Sequence, residues 1–148
     1  MPQSLSAVRL HVVFSTKDRI PYLEDEQIRA EAHAYLGGIA KRLDCPPIVI
    51  GGWTDHVHLL LNLGRTTSQA DLIKELKRAS SIFLKPKCPQ FAWQSGYAVF
   101  SVDPTNMDRT RNYIANQAQH HKEDSFQDEF RRLLEEHSLS WDERYIWD

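Results

Sequence analysis

Cysteine is scarce in this 148-residue chain: Cys45 and Cys88 are the only two, and they do not form a Cys-x-x-Cys pair. A disulfide framework and a thiolate zinc site are therefore excluded. Long apolar runs are missing as well. No stretch approaches the roughly 20 residues that a membrane-crossing helix needs, and residues 1–10 lack the basic and apolar regions of a signal peptide. A cytoplasmic protein without a membrane partner is expected. There is no internal repeat, low-complexity segment or linker, and the length is about that of one domain, so a single domain over residues 1–148 is predicted. A strong positive charge, usual in proteins that coat duplex nucleic acid, is also lacking, because the formal net charge is -2.

The distribution of that charge weakens the last exclusion. Residues 123–148 carry nine acidic and three basic residues, which leaves 11 acidic and 15 basic for residues 1–122. The first part is thus basic, and Lys74, Lys77, Arg78, Lys85 and Lys87 crowd one segment of it, where a phosphate backbone could lie. Residues 123–148 read as an acidic C-terminal extension.

Hydrophobic periodicity gives the order of elements. Val8, Leu10, Val12 and Phe14 alternate with Arg9, His11, Val13 and Ser15, which predicts a strand over about 7–16. Acidic residues 24–26 open a helix to about Leu43, with Ile28, Ala32, Tyr35, Leu36, Ile39 and Leu43 as its apolar stripe. After Pro46 and Pro47, Ile48 to Thr54 reads as a second strand, and a third runs from the Asp55-His56 turn to Leu63. Thr67 or Ser68 caps a helix through Leu84, with Leu72, Ile73, Leu76, Ala79, Ile82 and Phe83 facing inward. Tyr97 to Val102 is a fourth strand, a helix from Pro104 or Thr105 to about Gln119 follows, and an amphipathic helix covers Ser125 to His137. The order β-α-β-β-α-β with added C-terminal helices predicts an α+β fold of ferredoxin-like type, an antiparallel sheet with one face covered by the crossover helices and the other open.

The chemistry concentrates in Asp55-His56-Val57-His58. Strand side chains alternate between faces, so His56 and His58 point one way while Val57, Leu59 and Leu61 point into the core. Two neutral imidazoles at i and i+2 can share one metal, and Gln117, from the later helix, is a candidate third ligand. Imidazole with an amide oxygen makes a fairly hard site that suits Mg2+ or Mn2+ and leaves Zn2+ open. Tyr113 lies four residues before Gln117 on one helical face. Its phenol, with an ordinary pKa near 10, needs a nearby cation to act as a nucleophile on a phosphodiester. Trp53, Phe91, Trp93 and Tyr97 are candidates to stack on unpaired bases, with core packing the competing role. His120 and His121 are expected at an exposed helix end, and Asp55 either orients a ligand or caps the turn.

Four segments together resemble the small single-tyrosine HUH transposases of bacterial insertion sequences. They are Gly51-Gly52-Trp53-Thr54-Asp55-His56-Val57-His58, Leu76-Lys77-Arg78-Ala79-Ser80-Ser81, Trp93-Gln94-Ser95-Gly96-Tyr97 with Ser101-Val102, and Tyr113-Ile114 with Gln117. They stand in the family's order across residues 8–117. The resemblance implies a homodimer, a divalent metal held by His56, His58 and Gln117, and cleavage of single-stranded DNA beside a hairpin. Tyr113 would form a covalent 5'-phosphotyrosine, in its own subunit or in its partner's. The acidic extension, with Trp141, Tyr145, Ile146 and Trp147, departs from the family's minimal pattern, and docking on the domain, completing a dimer and marking a domesticated enzyme that acts on chromosomal repeat hairpins all stay open. A noncatalytic single-stranded nucleic-acid binding module is the competing reading from another class, and a hydrolase of soluble phosphoesters is a third.

Overall fold

A computed structural model describes residues 2–148, and the fold grows from one central pair of strands. β1 (Arg9–Ser15) lies antiparallel to β3 (His56–Asn62) in a register that sets Val13 opposite His58 and Ser15 opposite His56. β2 (Pro47–Gly52) adds beyond β3, and β4 (Ala98–Ser101) adds beyond β1. The sheet is four-stranded and antiparallel in the order β2-β3-β1-β4, as the ferredoxin-like reading requires. Pro47 turns out to begin β2 rather than merely precede it. This is tolerable because β2 is an edge strand, where a missing amide leaves no ladder bond unmade.

α1 (Glu26–Arg42) and α2 (Gln69–Leu84) cross one face of the sheet. Asp25 caps α1 by accepting from the amides of Gln27 and Ile28, and Ser68 caps α2 by accepting from Asp71, so two orphan ends are satisfied by short polar side chains. Beneath them Val12, Phe14, Val57, Leu59 and Leu61 meet Leu36, Ile39, Leu72 and Leu76 in the main core. Ile82 departs from the expected stripe: it is 61% exposed on α2, whereas Phe83 stacks on Tyr35 with ring centres 4.2 Å apart.

The opposite face is not bare. α3 (Met107–Ala115) and α4 (Gln117–His120) replace the single expected helix, with a break at Asn116, and α5 (Phe126–Glu136) lies against the sheet. Phe126, Phe130, Leu133 and Leu134 of α5 pack on Val13, Ala98 and Phe100, and Trp141, Ile146 and Trp147 close the edge of this second cluster. The acidic extension therefore docks on its own chain. Its last residue is tied down too: the Asp148 carbonyl accepts from the Gly96 amide at 2.8 Å and from Gln94 Nε2 at 3.2 Å. Of Trp141, Tyr145, Ile146 and Trp147, Tyr145 alone stays largely exposed, at 63%.

Gly51 sets the approach of α3. A side chain there would bring its first carbon to 2.1 Å from the Ile114 carbonyl oxygen, so only glycine lets the helix lie directly on β2. That contact lowers Tyr113, the neighbour of Ile114, onto the histidine strand.

Candidate active site

Because β3 alternates, His56 and His58 leave the main core and enter the layer beneath α3, α4 and α5, where both are fully buried. The sheet supplies a third imidazole to this layer. His11 of β1 places Nε2 at 2.7 Å from His58 Nδ1, with the two rings stacked. Asp55, in the turn before β3, accepts from His56 Nδ1 at 2.8 Å and so turns His56 Nε2 inward. Of its two expected roles, orienting a histidine is therefore met, while its main-chain oxygen separately accepts from Thr16 at 2.8 Å.

Gln117 opens α4 just past the helix break, and its Oε1 lies 3.0 Å from His56 Nε2. Tyr113 comes from α3 of the same chain, its ring centre 5.8 Å from that of His58. The four residues proposed from the sequence thus converge within one subunit. What binds them is a residue that the sequence pattern assigned to an amphipathic helix: Glu129 of α5, fully buried. Its Oε1 lies 3.0 Å from His58 Nε2, and its Oε2 accepts from Gln117 Nε2 at 3.0 Å and from the Tyr113 hydroxyl. His121 is the other surprise. It lies inside the site, not at an exposed end, with Nε2 at 2.9 Å from Gln117 Oε1 and 3.2 Å from Glu129 Oε1.

A signal for Glu129 did exist in the sequence. It falls three residues after Phe126 and four before Leu133, on the apolar stripe of α5, where a carboxylate has to find buried partners. His11 sits at an alternating position of β1 on the same face as Val13 and Ser15, which carries no comparable signal.

The electrostatics follow from burial. Desolvation lowers the pKa of His58 against the raising influence of Glu129, and His11 is driven well below its usual value by burial and then by His58. For Glu129, burial acts upward, but the imidazoles of His58, His121 and His56 around it outweigh it and hold the carboxyl well below the usual range. Tyr113 moves the other way: burial, then the Glu129 charge, raise its pKa and keep the phenol protonated at neutral pH. A cleft of about 530 Å3 reaches Tyr113 from outside, lined among others by Asn106, Arg109, Thr110 and Arg132.

The sequence matches the family described as "Transposase IS200 like" over residues 4–117. The chain belongs to the IS200-like transposase family. A solved structure assigned as a transposase of Deinococcus radiodurans R1 is 25% identical, covers 79% of this chain and 95% of its own, and superposes with a TM-score of 0.64. A REP-associated tyrosine transposase bound to a REP hairpin has the same fold at 12% identity and a TM-score of 0.59, covering 82% of this chain and 72% of its own. No curated protein is similar enough to count as a match. His121 and Glu129 lie beyond the stretch that this IS200-like chain shares with its family.

The donor set fits a divalent cation. Asp55 can only accept, so His56 Nδ1 carries the ring proton, and in neutral His56 the Nε2 lone pair faces the Oε1 lone pairs of Gln117. Two acceptors aimed at each other in a buried site call for a positive charge between them. Other sequence expectations are redistributed. Phe91 and Trp93 are core residues at 1% and 8% exposure, Trp93 donating to Ser80 Oγ, and so neither can stack on a base, whereas Tyr97 is 39% exposed. Lys77 is not free for phosphate: its ammonium donates to the carbonyls of Gln94, Ser95 and Gly96, and burial pulls its pKa down to about 8. Arg78 pairs with Glu75, and Lys87 pairs with Glu31, which neutralises much of the basic segment.

Proposed function

We propose that this transposase-family chain is a metal-dependent single-strand DNA endonuclease and strand transferase that works through a covalent 5'-phosphotyrosine on Tyr113. The observation that carries the reading is the convergence of a tyrosine, two strand histidines and a glutamine in one buried cluster at the end of a cleft bearing Arg109 and Arg132. The Arg109 guanidinium in the approach suits a phosphate backbone, which it can grip in bidentate fashion, whereas Arg132 is already paired with Asp124 at 2.8 Å. The hairpin-bound relative has the same fold, and hairpin DNA is the substrate class we assign here.

In this reading Tyr113 attacks phosphorus, the bond to its phenol oxygen forms, and the bond to the 3' oxygen breaks. The phenol proton passes to Glu129 Oε2, which already accepts from it, and the leaving 3' oxygen takes up a proton from solvent water and departs as a hydroxyl. His56, His58 and Gln117 would hold the cation, Mg2+ or Mn2+. When bound, it supplies positive charge that polarises a phosphoryl oxygen and offsets the carboxylate that keeps the phenol neutral. Asp55 orients His56, and Gln117 ties α4 to Glu129. Because Tyr113 meets the histidines of its own chain, we assign it to cis action, and the homodimer expected from the resemblance is not needed to assemble these side chains.

Incubating labelled single-stranded hairpin DNA with the protein and Mn2+, then resolving the products on a denaturing gel, tests the reading. A covalent band that requires Tyr113 and disappears with EDTA is expected. Retained binding with no band would favour the noncatalytic module, and a band that survives Tyr113→Phe would remove Tyr113 from its role. Mixing H56A with Y113F protein separates cis from trans: a restored band would mean that the tyrosine serves a partner.

A further inference from the structure

Two side chains in the cluster are left unexplained by the three proposed ligands. His121 donates through Nδ1 to the Asp124 carbonyl at 2.7 Å, and a carbonyl can only accept, so that nitrogen carries the ring proton. Neutral His121 then has a bare Nε2, yet this atom faces Gln117 Oε1 at 2.9 Å and Glu129 Oε1 at 3.2 Å, both acceptors. His56 Nε2, bare for the same reason, faces the same two oxygens at 3.0 and 3.4 Å. Two nitrogens and two oxygens thus turn their lone pairs toward a common centre.

Their separations have the size of a coordination shell. Metal–ligand bonds of about 2.1 Å put neighbouring ligands roughly 3.0 Å apart around an octahedral ion and about 3.4 Å apart around a tetrahedral one. The four contacts span 2.9 to 3.4 Å. His56 Nδ1 and His121 Nδ1 are each anchored by an oxygen acceptor, the arrangement that fixes a metal-binding imidazole in the correct tautomer. His56, His121 and Glu129 also offer ligand atoms that all lie within 4.8 Å of one another.

We propose that the cation site of this chain is completed from beyond the segment it shares with its family, by Nε2 of His121 and Oε1 of Glu129, alongside His56, His58 and Gln117. The inference rests on the metal-dependent reading above and adds to it that the C-terminal helix supplies ligands. Adding a carboxylate to imidazoles and an amide makes the site harder and anionic, which favours Mn2+ or Mg2+ over softer ions. It also makes α5 part of the metal centre, so that metal binding and docking of the acidic extension are one event.

The test uses the full-length protein and Mn2+ alone, without DNA. Free Mn2+ is titrated by electron paramagnetic resonance for the wild type, Glu129→Gln and His121→Gln, with pulsed spectra counting the imidazole nitrogens coupled to bound Mn2+. Each variant should weaken Mn2+ binding about tenfold or more, and His121→Gln should lose one coupled nitrogen. Unchanged affinity in both variants, tighter binding in Glu129→Gln, no Mn2+ binding by the wild type, or an unchanged nitrogen count in a folded His121→Gln would each overturn the proposal. The two readings fail separately. A wild-type adduct on hairpin DNA with unaffected variant affinities sinks only the added ligands, whereas the expected Mn2+ losses without any adduct sink only the strand-transfer reading.

Discussion

The two faces of the sheet solve opposite problems. Under α1 and α2 the side chains of β1 and β3 are apolar and contiguous, and their burial is the ordinary hydrophobic contribution to stability. Under α3, α4 and α5 the same two strands present His11, Ser15, His56 and His58, all buried, around a buried Glu129. Burying those groups costs free energy unless each finds a partner, and an ion pair in such a setting is weak evidence of net stabilisation. One face holds the molecule together, and the other gathers its buried polar groups. A flank of apolar packing from Phe126, Phe130, Leu133 and Leu134 keeps α5 seated over the polar layer.

The comparison breaks most visibly if the faces are exchanged in their effects. Tyr113→Phe should lower covalent adduct formation by about 10^3-fold or more while changing thermal stability little, read by denaturing gel and by calorimetry. Leu59→Ala, directly behind His58 on the strand, should do the reverse. It leaves a cavity in the main core and should cost about 2–5 kcal/mol in denaturant unfolding. Stability losses of equal size for His58→Ala and Leu59→Ala would contradict the division of labour between the faces. Gly51→Ala should uncouple the two effects: the clash with the Ile114 carbonyl displaces α3, so adduct formation should fall by at least about tenfold even where the protein remains folded.

A smaller effect comes from a polar group on the apolar side. His33 of α1 has a buried Nε2 with no hydrogen-bond partner, and burial, then Arg29, lower its pKa to about 4. The unfolded chain takes up this proton near pH 6.5, before the folded protein can, so stability should decline as pH falls from about 6.5 toward 4. The whole window is worth on the order of 2–3 kcal/mol. His33→Leu should flatten that part of the stability profile, and an unchanged profile would remove His33 as its source. Least of all, Ile82→Lys should stay within about 0.5 kcal/mol of the wild type, because the side chain faces solvent.

Most of the scaffold was legible in the residue order. Alternation placed Val57, Leu59 and Leu61 inward and both histidines outward, Asp25 and Ser68 marked where helices begin, and the β-α-β-β-α-β order specified the sheet. The errors have local causes. Ile82 is apolar but lies on the solvent side of α2, since periodicity averages over a helix and does not bind each residue. The helix break at Asn116, with αR geometry lost at φ -100° and ψ 21°, is set by the packing that turns Gln117 inward. Lys77 looked like part of a phosphate surface because charge alone does not show that three carbonyls are already within its reach.

By itself, the sequence determined which residue types could do the chemistry and which face of β3 would carry them, because strand periodicity is a local property of the chain. It also assigned Tyr113 and Gln117 to one later helical segment. Only the tertiary structure decided that Glu129, 71 residues from His58 along the chain, and His121 would enter the same buried layer. It decided as well that the acidic extension would roof the sheet instead of trailing from it. The reason is physical: a buried carboxylate is tolerated only where several donors or a cation meet it, and such a meeting depends on how α5 docks across β1 and β4, which no local pattern encodes.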